Sequence, residues 1–131
     1  MYTILDKMTE KEIINYFQEQ YPGKNVVKLP SDKPTEIICE LEPSSEHPEH
    51  SIAIAAISLS KPHYHRRTTE LYELISGKLT LAVNDKSIEL NPGDTYTVSP
   101  QQIHSAKGDF TLVKVTSRPG WTPDDHVLVK S

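Results

Sequence analysis

Glycine is scarce in this chain: five glycines stand against ten prolines in 131 residues. Many of those prolines fall where strands are expected to end. Cysteine is scarcer still. Cys39 is the single one, so no internal disulfide can form. It lies in the apolar run "EIICEL", with no base beside it to make it a nucleophile, and reads as a buried thiol in a reducing compartment. Basic charge is also short. Fourteen Lys and Arg face eighteen Asp and Glu, for a net charge of −4. No basic stripe exists to grip nucleic acid or an anionic membrane, and neither is expected as a partner. Long apolar runs are missing as well. The longest, Ile52 to Ile57, is far too short to span a bilayer. The start, "MYTILDKMTE", carries Asp6, Lys7 and Glu10 and does not read as a secretion signal. A cytoplasmic protein is the expectation. No repeat, low-complexity stretch or linker divides the chain, so one domain over residues 1–131 is expected.

What is present is strand-like. A helix over about 9–21 opens the chain, with Thr9 and Glu12 as a capping box and Ile13, Ile14 and Phe17 on one face. Pro22-Gly23 ends it. "TEIICEL" reads as a strand, and "SIAIAAISLS", apolar on both faces, as a central strand buried on two sides. "ELYELIS" and "KLTLAVN" flank Gly77 and predict a hairpin. Asn84-Asp85 and "NPGD" (Asn91 to Asp94) mark further turns. "KSIEL", "TYTVS", "IHSAKG", "FTLVKVTS" and "HVLVK" supply the later strands. Eight or nine short strands with Pro/Gly punctuation predict an all-β barrel or sandwich over about 35–130, with one N-terminal helix.

The histidines carry the functional signal. His63 and His65 are two apart, so a strand points both to one face. Two imidazoles inside an apolar barrel are costly unless something satisfies them, and a divalent metal does. Glu70 adds an anionic oxygen, and such sets suit Fe, Mn, Ni, Cu or Zn. His104, in "SPQQIHSAKG", is the best fourth ligand. His47 and His50, in a proline-containing acidic loop, and His126, after "PDD", are weaker candidates.

With those residues in view, the chain resembles the cupin family. Its first motif matches His63, His65, Glu70 and Gly77 (63–77), with four and six residues in the two later gaps. Its second matches the Pro92-Gly93-Asp94 turn followed by His104 (92–108). Ile57, Ser99, Gln101 and Gly108 depart from the family's usual Gly, Pro, Gly and Asn at their positions, all of which shape turns rather than bind metal. The resemblance implies a conical antiparallel β-barrel of the jelly-roll type. It also implies a metal near the wider mouth, held by His63, His65, Glu70 and His104.

Four protein ligands on a six-coordinate ion leave two positions for a substrate, or for substrate and dioxygen. Counting by two from Glu70 turns Tyr72 and Leu74 inward, where Tyr72 can donate a hydrogen bond or act as an acid. The same count from His104 selects Gln102 and Ala106. Tyr96 is a further lining candidate, Tyr64 points away, and Arg66 can meet an anion at the mouth. Trp121, in the rigid "SRPGWTPDDH", reads as a packing anchor. The resulting expectation is a metal-dependent enzyme for a small polar molecule. Dioxygenase-like oxidation of an organic acid or phenol at Fe(II) leads. Sugar or sugar-phosphate isomerisation or epimerisation, and non-catalytic ligand binding, are the alternatives. The apolar helix face and the strand edges predict a homodimer.

Overall fold

The computed structural model describes residues 8–129. Residues 1–7, most of the stretch read as lacking a secretion signal, lie outside the described residues, as do 130–131. Helix α1 (Glu10–Gln20) is followed by strands β1 (Asn25–Leu29), β2 (Glu36–Glu42), β3 (Ser51–His65), β4 (Thr69–Ser76), β5 (Leu79–Val83), β6 (Lys86–Leu90), β7 (Thr95–Val98), β8 (His104–Arg118) and β9 (His126–Leu128). The strands form one antiparallel sheet in the order β1-β2-β3-β8-β4-β7, with β5 joining β6 to β8 and β9 on β3. It is the all-β barrel expected from the sequence. Among the described residues, no helix is long and apolar enough to cross a membrane.

The capping box of α1 is present: the Thr9 hydroxyl accepts from the Glu12 amide, and the Glu12 carboxylate from the Thr9 amide. Ile13 and Phe17 are buried with Ile37, Cys39, Ile54, Ala56 and Leu112. The helix therefore covers the outer face of β2 and β3 of its own barrel. That face, which suggested subunit pairing, is occupied within the chain. The other face of the same strands looks inward. On β2 it carries Glu36, Ile38, Glu40 and Glu42, and on β3 Ala53, Ala55 and Ile57, all lining one cavity. This two-sided burial is why "SIAIAAISLS" alternates so weakly. Leu74, Leu79, Leu81, Val98 and Val113 belong to the barrel core, and Tyr72 belongs to both the core and the cavity wall.

Two expectations about connectivity fail. β4 and β5 are not a hairpin, because neither pairs with the other. Both run antiparallel to β8, β4 against Leu112 to Arg118 and β5 against His104 to Lys107. Gly77, at φ +84°, is a corner between two collinear strands, where a Cβ would lie 3.2 Å from Thr111 Oγ1. "IHSAKG" and "FTLVKVTS" are likewise one strand, β8, irregular around Gly108 to Phe110, where Phe110 has φ +50°. The β5–β6 hairpin through Asn84-Asp85 is present. β1, hidden in "NVVKL" ahead of the expected barrel start, pairs with β2 in full register.

Gly108 is required by crowding. A Cβ there would lie 2.5 Å from Thr111 Oγ1 and 3.0 Å from the Ile57 carbonyl. The same hydroxyl donates to the Lys78 carbonyl at 2.7 Å, so it cannot move freely. Gly108→Ala is expected to lose about 1–3 kcal/mol, read as a lower urea midpoint. An unchanged midpoint would show that this corner is not tightly packed.

Candidate metal centre

Four side chains from three strands converge on one point. β3 supplies His63 and His65, β4 supplies Glu70, and β8 supplies His104. One donor atom from each lies within 4.8 Å of all the others, and all four residues are buried. The pairing of His63 opposite His104 brings the β3 and β8 ligands together. The focus is Glu70 Oε1, which lies 3.1 Å from His104 Nε2 and 3.3 Å from His65 Nε2. The Tyr72 hydroxyl donates to the same oxygen at 3.4 Å.

The proton positions favour a cation. His63 Nδ1–H donates to the Lys61 carbonyl at 2.7 Å, and His104 Nδ1–H to the Gln102 carbonyl at 3.0 Å. A carbonyl only accepts, so each ring carries a proton on Nδ1 and turns Nε2 toward the site. For His104 that nitrogen lies against a carboxylate oxygen, a contact that needs a proton or a cation between the two. Both ring nitrogens of His65 are buried without a hydrogen bond. Ligands bound at about 2.1 Å and at right angles sit about 3 Å apart, which these contacts match. The donor set fits a divalent metal, with two ring orientations fixed by backbone carbonyls behind them.

The electrostatics follow from the same crowding, in which protons compete with a cation for these donors. Burial and the neighbouring His104 push His63 down to about 4, so it is neutral and free to ligate. Burial alone would raise the Glu70 carboxyl. Its contacts with His104 and His65 outweigh that and hold it well below the usual carboxylate range. Burial pulls His65 down, but Glu70 more than offsets this and raises it. Burial, Glu70 and Glu36 together push the Tyr72 hydroxyl well up.

Above the quartet opens a cavity of about 410 Å³. His63, Glu70 and Tyr72 lie at one end, with Ile38, Ala55 and Val115 among its walls. Three of the expected lining residues are elsewhere. Gln102 precedes β8, so counting by two does not apply to it. Its side chain accepts from the Ser99 amide at 2.8 Å, and only its carbonyl serves the site, through His104. Tyr96 lies opposite Tyr72 on β7 and packs against the core. Arg66 is exposed, in the loop between β3 and β4, and does not line the cavity. Trp121 is not a buried anchor. It is 38% exposed and lines the cavity, edge-on to His126 at 5.9 Å.

The sequence undervalued three residues. His126, on β9, stacks on His63 at 4.3 Å between ring centroids and also lines the cavity. Burial, with His65 nearby, lowers its pKa. Glu36 faces the cavity from β2. Burial and the charge of Glu70 push its carboxyl up to about 7, against a hydrogen bond from Ser60. It retains some accessible surface because it borders the cavity. Asp125 is 1% exposed and accepts the backbone amides of Arg66 and Arg67 at Oδ1 and of Thr68 at Oδ2, all within 3.1 Å. It thereby fixes the loop between His65 and Glu70. His47 and His50 stack on each other at 4.1 Å and gather around Glu42 at the cavity rim, apart from the quartet.

Fold and site together define a small jelly-roll barrel built around a candidate three-histidine, one-glutamate metal centre. The family model described as "Cupin domain" matches residues 37–113, more than half of the chain and all four candidate ligands. The chain belongs to the cupin family. It is similar to quercetin 2,3-dioxygenase of Bacillus subtilis (strain 168), at 34% identity over 53 residues. That match covers 40% of this chain and 16% of the relative, so the chain matches about a sixth of that protein's length. Among solved structures it resembles Pac13 of Streptomyces, described as a nucleoside dehydratase. The TM-score is 0.70 at 15% identity, covering 82% of this chain and 85% of that one. Oxalate decarboxylase from Bacillus subtilis aligns with a TM-score of 0.68 at 12% identity, covering 83% of this chain and 31% of the other. At these identities the structural likeness is one of fold.

Proposed function

We propose that this protein is a metal-dependent oxygenase acting on a small organic molecule such as a phenol. The observation that carries this reading is the buried His63/His65/Glu70/His104 quartet at the end of a largely apolar cavity. The partial similarity to a quercetin dioxygenase supports the same choice. A redox-active ion such as Fe(II), held by the quartet, would supply the coupling of dioxygen with substrate. The chain's own residues do the rest. Ile38, Ala55 and Val115 exclude water from one side of the guest. Tyr72 holds Glu70 Oε1 by its hydroxyl and borders the guest beside it. Glu36, poised near neutrality, can take the proton of a substrate hydroxyl.

A second reading is isomerisation or epimerisation, favoured by the two proton-bearing groups, Glu36 and Tyr72, on one cavity. Two measurements separate them. Metal-analysed protein is given phenols in an oxygen electrode, and sugars in deuterated water. Oxygen uptake matched to phenol loss is expected. Deuterium entering a sugar without oxygen uptake, or zinc as the bound metal with no oxygen uptake, overturns the oxygenase reading.

A further inference from the structure

The cavity wall has a charge pattern that neither reading requires. β2 places Glu36, Glu40 and Glu42 along its inner face, with Ile38 between the first two, and all three glutamates border the cavity. Among the described residues, no Lys or Arg lines it. Two of the cations on neighbouring elements are paired with other carboxylates, and Lys61 borders the adjoining cavity beside Glu36. Lys28 pairs with Glu10 of the outer helix at 3.0 Å, and Arg67 pairs with Asp124 at 3.4 Å. Glu42 has His47 and His50 beside it, and Glu40 takes the Asn25 amide. Glu36 has no cationic partner among the described ion pairs. The Trp121 ring borders the same space.

We propose that the cavity selects a molecule with an apolar body and a cationic nitrogen, the nitrogen held between the β2 carboxylates and Trp121, and that it rejects carboxylates and phosphates. A carboxylate wall attracts an ammonium and repels an anion, and an indole face adds cation–π attraction. The apolar β3 residues, Ala53, Ala55 and Ile57, take the body of the guest. This inference rests on the cavity being the substrate site, not on oxygen chemistry. It separates organic acids and sugar phosphates from the remaining substrates of either reading.

The test needs no known substrate. Trp121 is the single tryptophan, so its fluorescence reports occupancy of the cavity. Benzylamine, benzyl alcohol and benzoate are titrated into the protein as purified, with its metal content measured, and again after chelation. Benzylamine is expected to bind at least about tenfold more tightly than benzoate, with benzyl alcohol between them. The order is expected to survive chelation, because carboxylates carry it. Glu36→Gln is expected to narrow the gap between amine and acid. Benzoate binding as tightly as benzylamine, failure of benzylamine to bind, or an amine preference that vanishes with the ion overturns the proposal. A protein that shows the amine preference but takes up no oxygen leaves this inference standing and removes only the oxygenase.

Discussion

Glu70→Gln is expected to yield a folded protein that no longer holds its metal. The substitution keeps the side chain's volume and removes its charge. In the metal-free protein it should be tolerated well, because a glutamine amide can donate to Nε2 of His104 or accept from it. With a metal the balance reverses. The ion loses its single anionic ligand in a buried site, where three neutral imidazoles cannot offset its charge. Changes to groups one step behind a ligand already lower affinity by about 10–100-fold, so loss of a direct ligand is expected to cost at least about 100-fold. Elemental analysis per polypeptide, with circular dichroism on the same sample, reads both halves. A folded variant that retains a full complement of tightly held metal would remove Glu70 from the ligand set.

Asp125→Ala is expected to be the most destabilising change outside the core. Asp125 accepts the amides of Arg66, Arg67 and Thr68, and it is almost wholly enclosed. Alanine strands those donors, at about 1–3 kcal/mol for each that finds no water. A total loss of about 3–5 kcal/mol is expected in chemical denaturation, together with weaker metal binding, because the loop that spaces His65 from Glu70 loosens. The pH dependence has a fixed sign. Burial alone would raise the Asp125 carboxyl, but its hydrogen bonds with Thr68 and the Arg67 amide outweigh that and lower it. A folded pKa below the unfolded value of about 3.9 gives stability that is full above that value and lost as pH falls through the folded one. Asp125→Ala should therefore flatten the acid limb of the stability profile. A variant as stable as the parent at pH 7 would show that water replaces the carboxylate.

The candidate quartet was legible because three of its members lie within eight residues. His63 and His65 obey strand periodicity, and the Pro92-Gly93-Asp94 turn announces the approach to His104. What the chain brings from further away was not legible. Glu36 looked like an ordinary charged strand residue, and only the helix on the other face of β2 shows which side is inside. His126 and Asp125 reach the site because β9 pairs with the ligand end of β3, a pairing that no local pattern encodes. Counting by two worked for Tyr72 and Ala106, which sit in regular strand. It failed for Gln102, one residue beyond Gln101 at φ +74°, where the backbone is not extended. The expected hairpin at Gly77 failed for a related reason. A glycine with positive φ signals a change of direction, but whether the next strand turns back or carries on along β8 depends on what lies beneath it.

Asp125 also imposes an order in time. The ribosome releases His63, His65 and Glu70 early and His104 later, but the loop between His65 and Glu70 has its carboxylate anchor only after residue 125 has been made. Until then the candidate ligands lack that anchor, and a chain without it is expected to take divalent ions by availability and intrinsic affinity rather than by shape. Selection by geometry starts only with the finished barrel. An ion held by the quartet is then expected to be chosen from the supply met after translation rather than during it.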